Sequence, residues 1–573
     1  MAHCPLAGPS PSRILIPTRT GGEILVANLL AQGATHAFAV PGESYLPVLD
    51  ALYDARDRMQ LVVCRQEGGA AYMAEAFGKL TGRPGIAFVT RGPGATNASI
   101  GVHAAMQDSS PMILFVGQVG GDFVDREAFQ EIDYRRMFGD VAKWAAQIDR
   151  ADRIPEYVAH AYRIAMSGRP GPVVLALPED MLSTPAACAD APRIEAVAAA
   201  PDAALVAAAA DRLAGAKRPL VLVGGSRWDA EACRTLREFA EAWEVPVACG
   251  FRNQDLFDNR HALYAGDVGI GINPRLAARV RDADVLLVIG ERLGEMTTSG
   301  YTLLVPPMTA QTLIHVHPGA EELGRVYQPE LAIAATPGAF LAALSALPRP
   351  ETRCAEGQTG DAHADYLAWQ APRPVPGDVD LWQIVRWIDE RLPDTAIVTN
   401  GAGNYATWMH RLYRYRGFRT QLAPYVGSMG YGVPAAVAAK TVHPDRVVLS
   451  WNGDGCFLMN GQELATAVQY GLAIVFVVVD NGMYGTIRMH QERTYPARDY
   501  GTALVNPDFA ALARAFGAHG ETVARTAEFA PAFERALAAG RPAVLHLKLD
   551  PQALTMNATL DALREQGLAA RRA

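Results

Sequence analysis

"WNGDGCFLMNGQELATAVQYGLAIVFVVVDNGMYG", Trp451 to Gly485, sets one aspartate between two glycines. A helical pattern follows, and then an apolar run ends in Asp480-Asn481-Gly482. With the preceding "RVVLS" it reads as strand, tight glycine turn, helix and strand, the repeating unit of a doubly wound parallel sheet. In such sheets ligands bind beyond the carboxyl ends of the strands, so Asp454 and Asn481 belong to one edge and not to a core. Asn481 follows Asp454 by 27 positions, the length of one helical crossover. The glycines allow close backbone approach, and the helix offers its N-terminus to an anion. A carboxylate, an amide oxygen and a main-chain carbonyl are hard oxygen ligands suited to Mg²⁺ shared with a diphosphate. The other reading of the same residues is a plain turn, with Asp454 capping a helix and Asn481 tolerating a left-handed bend.

The same rhythm runs through the chain. "AFAV", "GIAFVT", "MILFVG", "VVLALP", "PLVLVGG", "VLLVIG", "AIVTN" and "AVLHLKL" are apolar on nearly every residue and alternate with helical patterns. That predicts an α/β protein of parallel sheets covered on both faces. At 573 residues the chain exceeds one core, and two Ala/Pro-rich stretches divide it. The expected layout is a disordered tail at 1–19, a first unit at 20–182, a linker at 183–202 and a central unit at 203–346. A second linker at 347–378, a third unit at 379–560 and a tail at 561–573 complete it. A net charge of -8 and a pI near 5.9 argue against nucleic acid as a partner. The longest apolar run, "LAIVFVVV", is too short to span a bilayer. Seven cysteines without Cys-x-x-Cys pairs suggest free thiols and a cytoplasmic location.

The stretch from Gly453 to Asn481 resembles the signature of thiamine diphosphate (ThDP) enzymes, Gly-Asp-Gly followed after some 25 to 30 residues by Asn-Asn. Asp480 stands where the first Asn would be. The resemblance implies Asp454, Asn481 and the Met483 carbonyl as Mg²⁺ ligands, with Gly453, Gly455, Cys456 and Met483 against the cofactor. "LVVCRQEGGAAYMAEAFGKLTGRPGIAFVTRGPGATNASIG", Leu61 to Gly101, is similar to the family's catalytic glutamate region and its Ser-Gly-Pro-Gly loop. Glu67 falls on the glutamate that exchanges a proton with the cofactor's aminopyrimidine, although Phe77 and Arg91 replace the usual Tyr and Ser. "NGAGNYATW" and "YVGSMGYGVPAA" look like the segments that place Gly403 and Asn404 near the phosphates, Gly427 on the 4′-amino group and Met429 beneath the bent cofactor. "PGESYLPVLDAL", "AFQEID" and "SGRPGPVVLALPEDML" resemble the acetolactate (acetohydroxyacid) synthase branch.

From about Thr20 to Leu549 the resemblance therefore implies three doubly wound domains: pyrimidine-binding, central and diphosphate-binding. It also implies a homodimer or homotetramer whose sites lie across the dimer interface. The activity it implies is attack on a 2-keto acid, pyruvate in the simplest version, loss of CO2 and addition to a second carbonyl compound. A 2-keto acid decarboxylase, a ThDP-dependent C–C lyase and a non-catalytic subunit of this fold stay open. FAD or ADP is possible in the central unit but not favoured, because "GERLGEMTTSG" departs from the FAD-binding pattern. Gly42, Glu43, Gln118 and His490 are the candidate substrate residues. His490 stands near a tryptophan position of the biosynthetic synthases, and Glu43 adds a carboxylate those enzymes lack. For His490 a surface histidine, and for Gln118 a buried amide bonded to main chain, are the other readings. His315 and His317 read as structural.

Overall fold

The computed structural model describes residues 17–348 and 358–572. The first unit contains β1 (Thr18–Thr20), β2 (His36–Ala39), β3 (Gln60–Val63), β4 (Gly85–Val89), β5 (Met112–Gln118), β6 (Trp144–Gln147), β7 (Pro172–Pro178) and β8 (Pro185–Ala187). The central unit contains β9 (Pro219–Val223), β10 (Val247–Cys249), β11 (Tyr264–Asp267), β12 (Val285–Ile289), β13 (Thr312–His317) and β14 (Leu331–Ala334). The third contains β15 (Ile397–Asn400), β16 (Gln421–Leu422), β17 (Val448–Gly453), β18 (Val475–Asp480), β19 (His519–Val523) and β20 (Ala543–Lys548).

Each unit has a six-stranded sheet whose pairs all run parallel. The first sheet is ordered β3-β2-β4-β5-β7-β6 and the third β16-β15-β17-β18-β20-β19. Counted within each unit, both orders are 2-1-3-4-6-5. The central sheet, β11-β10-β9-β12-β13-β14, has the 3-2-1-4-5-6 order of dinucleotide-binding folds. The inner strands β4, β5, β7, β9, β12, β17 and β18 are buried at every residue. Helices on both faces leave such strands no wet side, which explains their unbroken apolar runs.

The first and third units share one hydrophobic core. Helix Glu67–Thr81 meets helix Gly432–Val442, which carries Ala435, Ala436, Ala438 and Ala439, and its Tyr72 and Glu75 reach Tyr431 at the start of that helix. Small side chains let the helices approach closely enough to merge two cores into one.

Four expected segments need correction. The 1–19 segment ends in β1, which pairs antiparallel with β8 inside the expected 183–202 linker. The rest of that stretch clings to the first unit: Asn28 and Gln32 bond the main chain at Ala191, Pro192 and Ile194. Within 347–378, helix Gln358–Trp369 packs its Tyr366 ring on Tyr264 at 4.8 Å. Residues 561–573 are helical from Leu560 to Arg572 and lie on helix Gly485–Thr494, with Arg564 donating to Glu492 at 2.8 Å. Alanine and charge made these segments look unstructured, but their described parts each meet a partner surface that only the tertiary fold supplies; residues 1–16 of the expected tail and 349–357 of the second linker lie outside the described residues.

Candidate active site

β17 runs into a helix that begins at Asp454 itself, with Gly453 as its cap. A second short helix, Glu463–Gln469, completes the crossover to β18. The helical pattern after the turn is thus two short helices separated around Gly461, where a side chain would meet the Phe457 ring at 2.9 Å, and the second begins at Glu463. β18 delivers Asp480 and Asn481 beside Asp454, as the spacing predicted. Around them lies a cavity of about 230 Å³ lined by Gly403, Asn404, Gly427, Met429, Gly453, Asp454, Gly455, Cys456, Asn481 and Met483. Every third-unit residue singled out in the sequence except His490 therefore converges on one space. Helices starting at Asn404, Asp454 and Gly485 point their N-termini at it, which favours a phosphorylated ligand. Gly403 and Gly427 have φ of 146° and 71°, conformations that exclude most side chains.

Asp454 accepts from the N–H of Gly455 at 2.8 Å and of Gly482 at 3.0 Å. Burial pushes its pKa up to about 6, and the neighbouring Asp480 adds to the rise. A bound dication would reverse that shift. Asp480 goes the other way. Burial opposes its ionisation, but His546 and Lys548, each at 2.8 Å, with Asn506 hold it well below the ordinary carboxylate range. Asn506 bridges the pair, donating to both Asp454 and Asp480 at 2.8 Å. Among the described residues no three His, Cys, Asp or Glu side chains cluster as a metal site. Any cation here relies on Asp454 together with amide and main-chain oxygens.

Glu67 opens helix Glu67–Thr81 in the first unit and is half-buried. Asn97 donates to it at 2.9 Å, and a side chain on Gly94 would stand 3.6 Å from its carboxylate. The structure thus joins Glu67 to the Gly92-Pro93-Gly94 turn, which is the first turn of helix Gly92–Asp108 and not a loop. Glu67 does not line the third unit's cavity in its own chain. Arg91, the replacement for Ser, is buried and pairs with Glu43 at 3.3 Å and Glu179 at 3.2 Å. Glu43 is exposed and Gly42 lies beside Thr90. The Gln118 amide donates to Ile132 and accepts from Val119, both main-chain groups. His490 is exposed on helix Gly485–Thr494, away from the cavity. His315 and His317 bond main-chain groups of Glu291 and Gly319.

Several residues at the site escaped the sequence reading. Tyr405 packs against Gly403 and Gly453 and donates to Cys456 at 3.0 Å. Glu463, fully buried, accepts from the N–H groups of Arg65 and Gln66, the two residues before Glu67, at 3.0 Å each. His546 and Lys548 did leave a signal, since polar residues two apart in an otherwise apolar strand share one face.

Comparison with known proteins agrees with this geometry. Residues 19–137 match the model of the thiamine pyrophosphate enzyme N-terminal TPP binding domain, 206–344 the central domain and 401–547 the C-terminal TPP binding domain. The chain is 32% identical over 536 residues to the acetolactate synthase isozyme 2 large subunit of Escherichia coli, covering 92% of this chain and 95% of that one. It is 31% identical to the acetolactate synthase large subunit of Corynebacterium glutamicum, over 92% and 86% of the two chains. It is also 31% identical to the probable acetolactate synthase large subunit of Methanocaldococcus jannaschii, over 94% and 93%. With all three of its folded units matched in order, the chain belongs to the thiamine pyrophosphate enzyme family.

Proposed function

We propose that this protein is a ThDP- and Mg²⁺-dependent enzyme that decarboxylates a 2-keto acid, pyruvate, and joins the remaining fragment to a second carbonyl compound. The convergence of ten expected residues on the cavity below Asp454 carries the reading. The residues fit the cofactor. Gly427 has open space where a side chain would stand, three helix starts face the anion's place, and Asp454 and Asn481 supply hard oxygens. In this reading Asp454, Asn481 and the Met483 carbonyl hold Mg²⁺, while Gly403 and Asn404 face the diphosphate. Met429 and Gly427 shape the pocket floor for the ring system. When bound, ThDP supplies the carbon nucleophile and the electron sink that the protein lacks. Glu67 holds and returns a proton at the pyrimidine ring.

Since Glu67 lies outside its own chain's cavity, the site is complete only when a second copy brings its Glu67 to it. The active form is accordingly a homodimer or homotetramer. Glu43, exposed and paired with Arg91, is the first-unit group free to meet an acceptor. Gln118 is committed to main chain and His490 faces solvent, so neither is assigned a substrate contact. Free cysteines at all five described positions suit the cytoplasm, and no described helix is long and apolar enough to cross a membrane.

The test is incubation of the purified protein with ThDP, Mg²⁺ and pyruvate, measuring CO2 and identifying the organic product. Acetolactate is the expected product. Acetaldehyde alone would replace the ligase reading with a decarboxylase, and absence of CO2 with ThDP bound would remove pyruvate as the substrate.

A further inference from the structure

The carboxyl ends of β9, β10 and β12 frame the crevice where the central sheet reverses its strand order, the place at which sheets of this order take dinucleotides. A side chain of the protein itself stands there. Glu291 follows Gly290 at the end of β12 and is 1% exposed. Its carboxyl group lies over Gly224 and Gly250, at the ends of β9 and β10. A methyl group on either glycine would stand 2.1 Å from Glu291 Oε2. The backbone surface on which a pyrophosphate would close is already taken, and by an acid.

The other carboxyl oxygen is fully engaged. Oε1 accepts from the N–H of Arg292 at 2.9 Å, the Thr297 hydroxyl at 3.2 Å and the Tyr425 phenol at 2.8 Å. Tyr425 begins the segment that carries Gly427 and Met429 into the cavity of the third unit. The first unit grips that segment through Asp108, which accepts from the N–H groups of Tyr425 and Val426 at 2.8 Å. From the central unit it is reached by Arg252, which donates to the Pro424 carbonyl, and by Glu291 with Thr297 at the Tyr425 hydroxyl.

We propose that the central unit holds no flavin or adenine nucleotide because Glu291 fills its crevice. Glu291 and Tyr425 act instead as positioning residues that set the Gly427–Met429 segment for the cofactor. The second half rests on the ThDP reading given above. The adjoining cavity between the three units, about 320 Å³ and lined by Lys79, Arg227, Arg252 and Arg419 as well as by Asp108, Asp229 and Asp255, is the remaining entry for a nucleotide and the place where the first half would fail.

The experiment titrates the full-length protein with FAD, with ADP and with ThDP plus Mg²⁺, by flavin fluorescence and calorimetry. Tyr425→Phe, Glu291→Ala and Glu291→Gln are compared with the parent. The parent is expected to bind neither FAD nor ADP. Tyr425→Phe and Glu291→Ala weaken ThDP binding about tenfold, the size of one hydrogen bond, and Glu291→Gln, which keeps the acceptor, restores it. Tyr425→Phe leaves the ring and costs one buried hydrogen bond, so its melting temperature falls slightly while the fold is kept; a merely structural role would lower the melting temperature and leave the ThDP affinity unchanged. Stoichiometric FAD or ADP binding by the parent overturns the first half. A Tyr425→Phe affinity within about twofold of the parent, below the worth of one hydrogen bond, overturns the second. A parent that binds no ThDP fails the cofactor assignment itself and takes the positioning role with it, while the nucleotide titrations still decide the crevice.

Discussion

Truncating Glu463 to Ala removes an acceptor that serves two units at once. Its Oε1 takes the N–H groups of Arg65 and Gln66 at 3.0 Å, and its Oε2 takes the Thr466 hydroxyl at 2.6 Å. Three bonds to an ionised acceptor, at about 1.5 kcal/mol each, amount to about 4.5 kcal/mol. Burial raises the Glu463 pKa, so removing the carboxyl also relieves a desolvation cost, and about 3 kcal/mol is the net expectation. Glu463→Gln keeps one oxygen for both N–H groups and offers its amide to Thr466, so it costs about 1 kcal/mol. Gly69 leaves room for this group, since a side chain there would stand 2.7 Å from Oε1. Urea unfolding of the two variants measures the difference. Turnover per folded molecule should fall in Glu463→Ala alone, because Arg65 and Gln66 directly precede Glu67. Equal losses in the two variants, or a loss under about 1 kcal/mol in Glu463→Ala, would refute this account of the interdomain acceptor.

Asp454→Ala should abolish Mg²⁺-dependent ThDP binding by calorimetry while leaving the sheet intact by circular dichroism; retained binding would remove Asp454 from the ligand set. Mixing inactive Glu67→Gln chains with inactive Asp454→Ala chains should restore activity, since one pairing unites an intact Glu67 with an intact metal turn; no recovery after subunit exchange would place both groups in one chain. His410 is mostly shielded from solvent, and burial lowers its pKa to about 3. The unfolded chain takes up this proton near pH 6.5 and the folded one does not, so stability falls as the pH drops below 6.5. Between pH 6.5 and 5 the parent should lose about 2 kcal/mol relative to a His410→Gln variant, and parallel pH profiles for the two would contradict this.

The sequence carried the doubly wound class because buried parallel strands have no polar face to disguise them. It carried the third unit's site because glycines and hard oxygen ligands sit within a few residues of strand ends. What it did not carry arises between distant segments. Asn506 meets Asp454 only through folding, Glu463 is read by residues some 400 positions earlier, and the common strand order of the outer units follows from crossovers and not from any repeated motif. Glu43, Gln118 and His490 were picked by position along a resemblance. Position does not fix direction: His490 lies on the outer face of its helix while Met489, its neighbour, packs beside Met483, Leu554, Leu560 and Leu563.

That last cluster bears on the order in which the protein is made. Leu554 lines the proposed cofactor cavity, and helix Leu560–Arg572 packs behind it against helix Gly485–Thr494. A nascent chain that has emerged only to residue 550 already contains all six strands of the third sheet, but it lacks one wall of the cavity. Scaffold and proposed binding site are thus separated in time during synthesis, and the cavity is finished only after helix Leu560–Arg572 has docked.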